Sequence, residues 1–366
     1  MCKVFNTIGS LNDIQYHLNN HNVDEFTSVD ELINFQKVYH FTQQQIILNH
    51  TQQIEQEKIT LEKDIAELND SISTRRLKLQ EHLQEKLLNL EQQIENLPIP
   101  DSKIIPILKE YYLNLIIWLK IWFLQITHFF KIFTVTQQSN KFLSKKNSRF
   151  NYIITNFTEA VNQSSSSQLE LLRQKKIVID EIKNSIYGAI GEQKVANMLE
   201  NLPDEYILIN DFICSFQPPL YQRKENDYIK SIQIDHLLVS PSGIFIIETK
   251  NWSKQSLNNL NLRSPVQQVE RTNFALFKIL TDEITKSNLN LINHHWGDRK
   301  IPIRNIIIFI NNKPFEQFQY VKILSLTELL PYIKYFAPTF NLNETQMIAD
   351  FLYNISNKRN QSRLII

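Results

Sequence analysis

Three charged side chains interrupt the apolar stretch "IDHLLVSPSGIFIIETKNW", Ile234 to Trp252. Asp235 stands in its first half, Glu248 and Lys250 in its second. A charge inside an apolar strand is costly unless it is paired or metal-bound. Pro241-Ser242-Gly243 carries the residue types of a tight turn, so the stretch predicts a β-hairpin. A turn that pairs Ser240 with Gly243 sets Asp235 directly opposite Glu248, and opposed side chains share a face. Lys250 joins them, because strand side chains repeat every two residues. Leu237, Val239, Ile244 and Ile246 then form an apolar floor to the cluster. A bulge at Gly243 would slip the register by one and send Asp235 to the other face.

Opposed carboxylates in a half-buried setting repel, and one tends to hold a proton. A divalent cation reverses that preference. Two carboxylates plus waters suit Mg²⁺ or Mn²⁺, which also takes phosphate oxygens as ligands. Lys250 beside such a site could polarise a water or steady a phosphodiester's charge. The chemistry is metal-assisted hydrolysis, with Asp235 and Glu248 as metal ligands. The plain reading of the same pattern is a surface salt-bridge cluster.

Two further stretches bear on the choice. In "YGAIGEQKVANMLENL", Val195, Met198, Leu199 and Leu202 form a helical apolar stripe. Glu192 shares its phase and points inward, where it wants a cation or a donor. Gly188 and Gly191 would let this helix approach a sheet closely. A partly solvated helix-start Glu is the ordinary alternative. In "SPVQQVERTNFALFKIL", Ser264 and Pro265 open a helix. Gln268 lies one turn in, beside Val269, Asn273, Leu276 and Leu280, placed to orient a water or contact a phosphate, or as a plain first-turn polar residue. Lys254, Arg263, Arg271 and Lys278 supply positive charge for a phosphate backbone.

These pieces, in this order, together with "IRNIIIFINN" and "VKILSLTELL", resemble the NERD family, the nuclease-related domain, over about Tyr187 to Leu330. The family looks like a branch of the PD-(D/E)xK phosphodiesterases. The resemblance implies a restriction-endonuclease-like α/β fold, a mixed sheet flanked by helices. It implies that Asp235 and Glu248 bind the metal and Lys250 assists the water. It also implies that Glu192 is the helix acid near the site and Gln268 the polar residue of the following helix. The expected activity is Mg²⁺- or Mn²⁺-dependent hydrolysis of DNA. A tether that binds nucleic acid or protein without cutting is the alternative. His236 alternates away from Asp235, which suits a core role. His294-His295-Trp296 has no third ligand at metal spacing and is expected to be structural or surface.

The elements that must hold these residues follow from pattern. Strands are expected near Tyr206–Phe216, Ser231–Ser240, Gly243–Lys250, Ile303–Ile310 and Val321–Leu324. Helices are expected near Tyr187–Leu202, Pro265–Thr285, Leu326–Lys334 and Asn343–Ile355. The all-apolar run "IIIFI" indicates a sheet covered on both faces.

Before Tyr187 the sequence changes character. No glycine occurs from Ser10 to Tyr187, which excludes a glycine-rich phosphate loop there and suits long helices. Ser28 and Glu31 form a capping-box pattern. An uninterrupted stretch to Pro98 follows, about 105 Å if wholly helical at about 1.5 Å per residue. Ile47, Ile54, Leu61, Ile65, Leu68, Ile72, Leu79, Leu83, Leu87, Leu90, Ile94 and Leu97 form a coiled-coil seam. Pro98, Pro100 and Pro106 should end that helix. The segment Tyr111–Val135 is apolar and long enough to span a bilayer, with Lys120 in its middle. It is read as a spanning or interfacial helix, or as an apolar helix packed on the arm or a partner. A second helical stretch, 141–186, has Ser164–Ser167 as its weak point. It could fold back on the first as an antiparallel hairpin, or each could associate with its own copy.

The expected organisation is a helical N-terminal segment at 1–27, a coiled-coil helix at 28–97 and an apolar helical segment at 98–140. A second arm at 141–186, the nuclease-like domain at 187–335, and a C-terminal helix and tail at 336–366 complete it. The net charge of +1 puts no global field around the chain, so nucleic acid must be met by a local patch. The two cysteines, Cys2 and Cys214, form no motif and point to a reducing, cytoplasmic compartment. The first residues lack the apolar core of a signal peptide. Expected partners are DNA, a second copy through the coiled coil, and a membrane through 111–135.

Overall fold

The computed structural model describes residues 1–97, 104–252, 263–285, 300–357, 359 and 361–366, without the side chains of residues 106, 263 and 285. Pro98, Pro100, Lys254, the Arg263 side chain and His294-His295-Trp296 lie outside the described residues. The chain divides into two units: Met1–Tyr39 with Arg173–Ile366, and His40–Leu172.

The first unit is built on a six-stranded sheet, in the order β1 (Lys3–Phe5), β2 (Ile207–Gln222), β3 (Asp227–Ser240), β4 (Gly243–Lys250), β5 (Ile303–Phe309) and β6 (Lys322–Ser325). The β1–β2, β4–β5 and β5–β6 pairs are parallel, and β2–β3 and β3–β4 antiparallel. This is the expected mixed sheet. The helices are α1 (Gly9–Asn20), α2 (Val29–Glu95), α3 (Ile104–Thr155), α4 (Phe157–Glu181), α5 (Lys183–Glu200), α6 (Arg263–Thr285), α7 (Leu326–Lys334) and α8 (Leu342–Ile355).

Both faces of the sheet are covered, which is why its central strands are almost wholly apolar. On one side Val195 and Leu199 of α5 and Leu329 and Ile333 of α7 pack on Leu238, Phe245, Ile247, Ile306 and Ile308. On the other, Val269, Leu276 and Leu280 of α6 and Ile348 and Leu352 of α8 pack on Leu237, Val239, Ile244, Ile246 and Ile307. Fully burying each such side chain contributes about 1.5–3 kcal/mol.

The N-terminal segment differs from expectation. It is not only helical: Lys3–Phe5 form the edge strand β1. Helix α1 then packs Leu11, Ile14 and Leu18 against Ile179, Ile182, Ile186 and Ala189. Segment 1–20 is therefore part of the α/β unit, although the whole of His40–Leu172 separates it from the rest in sequence. The tail joins the same unit, where Ile365 exchanges backbone hydrogen bonds with Thr27 and Val29 at the start of α2.

The second unit is helical. Here α2 and the α3–α4 pair run antiparallel. His50 meets Ser164, Arg149 makes a two-bonded ion pair with Glu57 at 2.8 Å, and Lys146 pairs with Asp64. Ile54 is buried against Ile153, Ala160 and Val161. Over this stretch the seam packs on the chain's own returning helices. From Leu61 to Ile94 the seam residues are half-buried, but Ile47 is exposed, while His50, three residues on, is buried.

Three expected breaks are absent. Pro106 lies in the first turn of α3, where a missing N–H has no cost, so it begins a helix and ends none. No boundary occurs at 140/141, since α3 runs through it to Thr155. Ser164–Ser167 sit inside α4, where Ser165 and Ser166 return their hydroxyls to Val161 and Gln163 carbonyls.

Candidate functional site at the fork of two strands

The register of the central hairpin is the one that the turn residues predict. Ser240 pairs with Gly243, Val239 with Ile244, and so on to His236 with Ile247. That direct pairing leaves no slip at the turn, where Gly243 takes φ +124 and a Cβ would lie 2.5 Å from the Pro302 carbonyl oxygen. The ladder ends one step short of Asp235 and Glu248.

The reason is a change of phase in β2 and β3. Ile207, Ile209, Leu237 and Val239 share one apolar cluster with Phe212, Cys214, Ile232 and Ile234. Odd and even positions lie on the same side, so both strands change face between them. The change falls at Asp211 and Asp235, which lie across from one another between the pairs Asn210–His236 and Phe212–Ile234. Asp211 takes φ +46, a left-handed conformation that Asp tolerates better than most residues. Asp235 thus does not simply extend the floor of Leu237 and Val239. Its carboxylate turns onto β4 and accepts the Thr249 N–H at 2.7 Å, where a continuing ladder would have supplied a carbonyl.

Glu248 follows the strand alternation and is buried, at 5% exposure. Lys250 donates from Nζ to Glu248 Oε1 at 2.7 Å, so these two share a face as expected. Glu192 enters from α5, also buried, and is held by the first turn of α1: Ser10 donates its hydroxyl to Oε1 and its N–H to Oε2. The two helix glycines do different work. A Cβ at Gly191 would press on Asn251, just past β4, at 3.0 Å and on Thr249 of β4 at 3.4 Å. One at Gly188 would meet Ser10 Oγ at 2.8 Å, so that glycine admits α1, not the sheet.

The electrostatics tie the group together. Burial pushes the Asp235 carboxyl well above the usual range, and Glu248 and Glu192 push it further. Burial also raises Glu192. The Ser10 hydrogen bonds oppose this, and Asp211 and Glu248 add to it. Burial works against the Lys250 ammonium, but Glu248 and Asp235 outweigh it and hold its pKa above the ordinary lysine value. Three carboxyls, Glu192, Asp235 and Glu248, surround the Lys250 ammonium, and burial drives two of them, Asp235 and Glu192, toward the protonated form. Clustered carboxyl oxygens that a divalent cation would deprotonate are the donor chemistry of a hard ion, and Asp235 and Glu248 are the residues that could hold it.

Residues 187–310 match the family model of NERD, the nuclease-related domain. No curated protein and no solved structure matches the chain. The NERD region contains Glu192, Asp235, Glu248, Lys250 and Gln268. It stops short of β6, α7 and α8, and it excludes β1 and α1, which complete the same sheet and core.

Gln268 is the candidate that the structure leaves apart. It is exposed on α6, and no described contact joins it to the carboxylates. It lines a cavity of about 1350 Å³ with Gln233, Arg271, Asn305 and Arg359. Of the four expected cations the two whose side chains are described already have partners: Arg271 pairs with Asp227 and Lys278 with Asp282. His236 is a core residue: wholly buried, with Nδ1 2.7 Å from Asn210 Oδ1 and a pKa pushed down by burial to about 3.

Asp211 and Ser10 escaped the sequence reading. Asp211 is buried and accepts from Asn12 Nδ2 at 3.0 Å and Gln233 Nε2 at 2.9 Å, with Arg359 3.7 Å away. It interrupts the apolar run "ILINDFIC" just as Asp235 interrupts its own, and the same rule would have found it. Ser10 carries no signal, because nothing in the sequence relates it to a residue 182 positions away.

Proposed function

We propose that the α/β unit is a metal-dependent phosphodiesterase that hydrolyses DNA. The observation that carries this reading is the Asp235–Glu248 pair at the strand fork, Glu248 buried and Asp235 half-buried, with Lys250 bonded to Glu248 and Glu192 raising the Asp235 pKa. The match of this region to the nuclease-related domain supports a nuclease-related role.

Asp235 and Glu248 would hold Mg²⁺ or Mn²⁺. What the ion supplies when bound is a water activated at neutral pH and positive charge against the charge developing on phosphate. Lys250 acts as a cation, because its neighbours favour the ammonium. It donates hydrogen bonds to a phosphate oxygen or the attacking water and does not take up a proton. Glu248 fixes its Nζ. Glu192, held by Ser10, adds negative charge that raises the Asp235 pKa and would equally draw a divalent cation to the site. Thr249 N–H fixes the carboxylate of Asp235 on the side of β4.

The test is nicking of supercoiled plasmid by the full chain with Mg²⁺ or Mn²⁺, beside Asp235→Asn and Lys250→Ala. Metal-dependent nicking that both variants lose supports the reading. DNA binding without nicking on plasmid, linear and single-stranded substrates would assign the unit to a non-cutting tether.

We also propose that α3 meets a membrane, in a cytoplasmic setting that suits the two free cysteines. Its apolar window has mean hydropathy 1.4 and is only 11% buried, with Trp118, Trp122, Phe123, Phe129 and Phe130 exposed. Ile117 and Ile121 are buried, so the protein itself covers a narrow face of this segment. Flotation with lipid vesicles tests this. Recovery of the full chain in the soluble fraction, with none floating, would overturn it.

A further inference from the structure

We propose that His17, His21 and Glu181 form a second metal site, suited to a Zn²⁺-class ion and separate from the carboxylates at the strand fork. His17 and His21 are four residues apart at the end of α1, so they project from one side of the helix. Glu181 is the last residue of α4. One ligand atom from each lies within 4.8 Å of the other two. Two imidazoles and one carboxylate suit Zn²⁺, Co²⁺ or Ni²⁺, whereas Mg²⁺ prefers an all-oxygen set.

Three observations go beyond proximity. First, His17 Nε2 is a buried atom that makes no hydrogen bond, although Glu181 Oε2 lies 3.1 Å away. A buried, unsatisfied ring nitrogen facing a carboxylate is what a metal would complete. Second, His21 Nδ1 lies 2.9 Å from the His17 carbonyl oxygen. That contact requires the proton on Nδ1 and leaves the Nε2 lone pair free, the same outer-shell arrangement that sets ligating histidines in metal proteins. Third, the backbone beneath the ligands is fixed. Ile14 and Leu18 on α1, and Ile179 and Ile182 around Glu181, are buried in one cluster. The ligands therefore do not have to be gathered by folding a loop. Three protein ligands leave a fourth position of a tetrahedral site to water.

The site would clasp α1 to the α4–α5 junction. The same helix carries Ser10 in its first turn, so the clasp would also steady the support of Glu192.

The experiment is calorimetric titration of the metal-stripped full chain with Zn²⁺, and with Co²⁺ followed by its visible absorption. With the carboxylates at the strand fork saturated by Mg²⁺, one Zn²⁺ per chain should bind, with a Kd of about 10 μM or tighter. His21→Ala and Glu181→Gln, both at exposed positions, should each weaken binding roughly tenfold or more with unchanged far-ultraviolet circular dichroism. Asp235→Asn should leave it unchanged. Binding that neither His21→Ala nor Glu181→Gln weakens, binding lost in Asp235→Asn, or less than one ion per chain at saturating Zn²⁺ would each overturn the proposal.

Discussion

Ser10 grips the Glu192 carboxylate with both its hydroxyl and its backbone N–H. The serine lies outside the NERD region and the glutamate near its start. Ser10→Ala removes the hydroxyl, one of the two influences that lower the Glu192 pKa against burial. A hydrogen bond to a charged group contributes about 1.5–3 kcal/mol, so nicking should fall roughly tenfold or more. Gly188→Ala should do the same, because its new Cβ would displace the Ser10 hydroxyl. Plasmid nicking across a Mg²⁺ titration checks this, with circular dichroism at the assay temperature showing that each variant is still folded.

Asp235→Asn should stabilise the metal-free protein. The amide oxygen can still accept the Thr249 N–H, while the repulsion from Glu248 and Glu192 disappears. The gain should be on the order of 1 kcal/mol, the usual scale when a strained functional group is relieved. Thermal melts with and without Mg²⁺ give the answer. The wild type should gain stability on adding metal, and the variant should start higher and gain nothing.

His236 sets the acid limb of stability. Its folded pKa is depressed to about 3, so the unfolded chain takes up a proton first as pH falls below about 6.5. The stability it contributes is whole above that value and is lost as pH falls toward 3, at roughly 1.4 kcal/mol per pH unit. Denaturant melts between pH 7 and 4.5 should therefore slope more steeply for wild type than for His236→Gln. Equal slopes would mean that His236 charges in the folded state.

A fragment of residues 187–310 should not fold cooperatively. It lacks β1 and α1 on one side and β6, α7 and α8 on the other. A chain that joins Tyr39 to Arg173 by a short flexible linker should fold, since Lys176 Nζ lies 5.3 Å from the Tyr39 ring centroid. Calorimetry on the two chains decides the matter: one sharp transition for the joined chain, none for the fragment.

The sequence is most informative where local chemistry decides the structure. Pro241-Ser242-Gly243 gave the hairpin register, and the apolar periods of β4, β5 and α6 gave the sheet and its cover. The capping pattern at Ser28 located the start of α2, where Ser28 Oγ does accept the Glu31 N–H. What stayed hidden is what depends on distant parts of the chain. The phase change at Asp235 arises from the strand across from it, where Asp211 bends β2. β1 is three residues long, too short for any periodicity, and gains its pairing only from β2. Gln268 has the right helix but faces a cavity instead of the carboxylates, because helix phase fixes a side and not a distance.

The arm is an insertion within a domain, and this sets a schedule for synthesis. Met1–Tyr39 leaves the ribosome before the whole of His40–Leu172, and β2, the partner of β1, comes later still. At about 5–20 residues per second the edge strand waits on the order of ten seconds for the sheet it completes. The helical hairpin has time to close first. Ser10 and the whole helical insertion are then made before Glu192 leaves the ribosome.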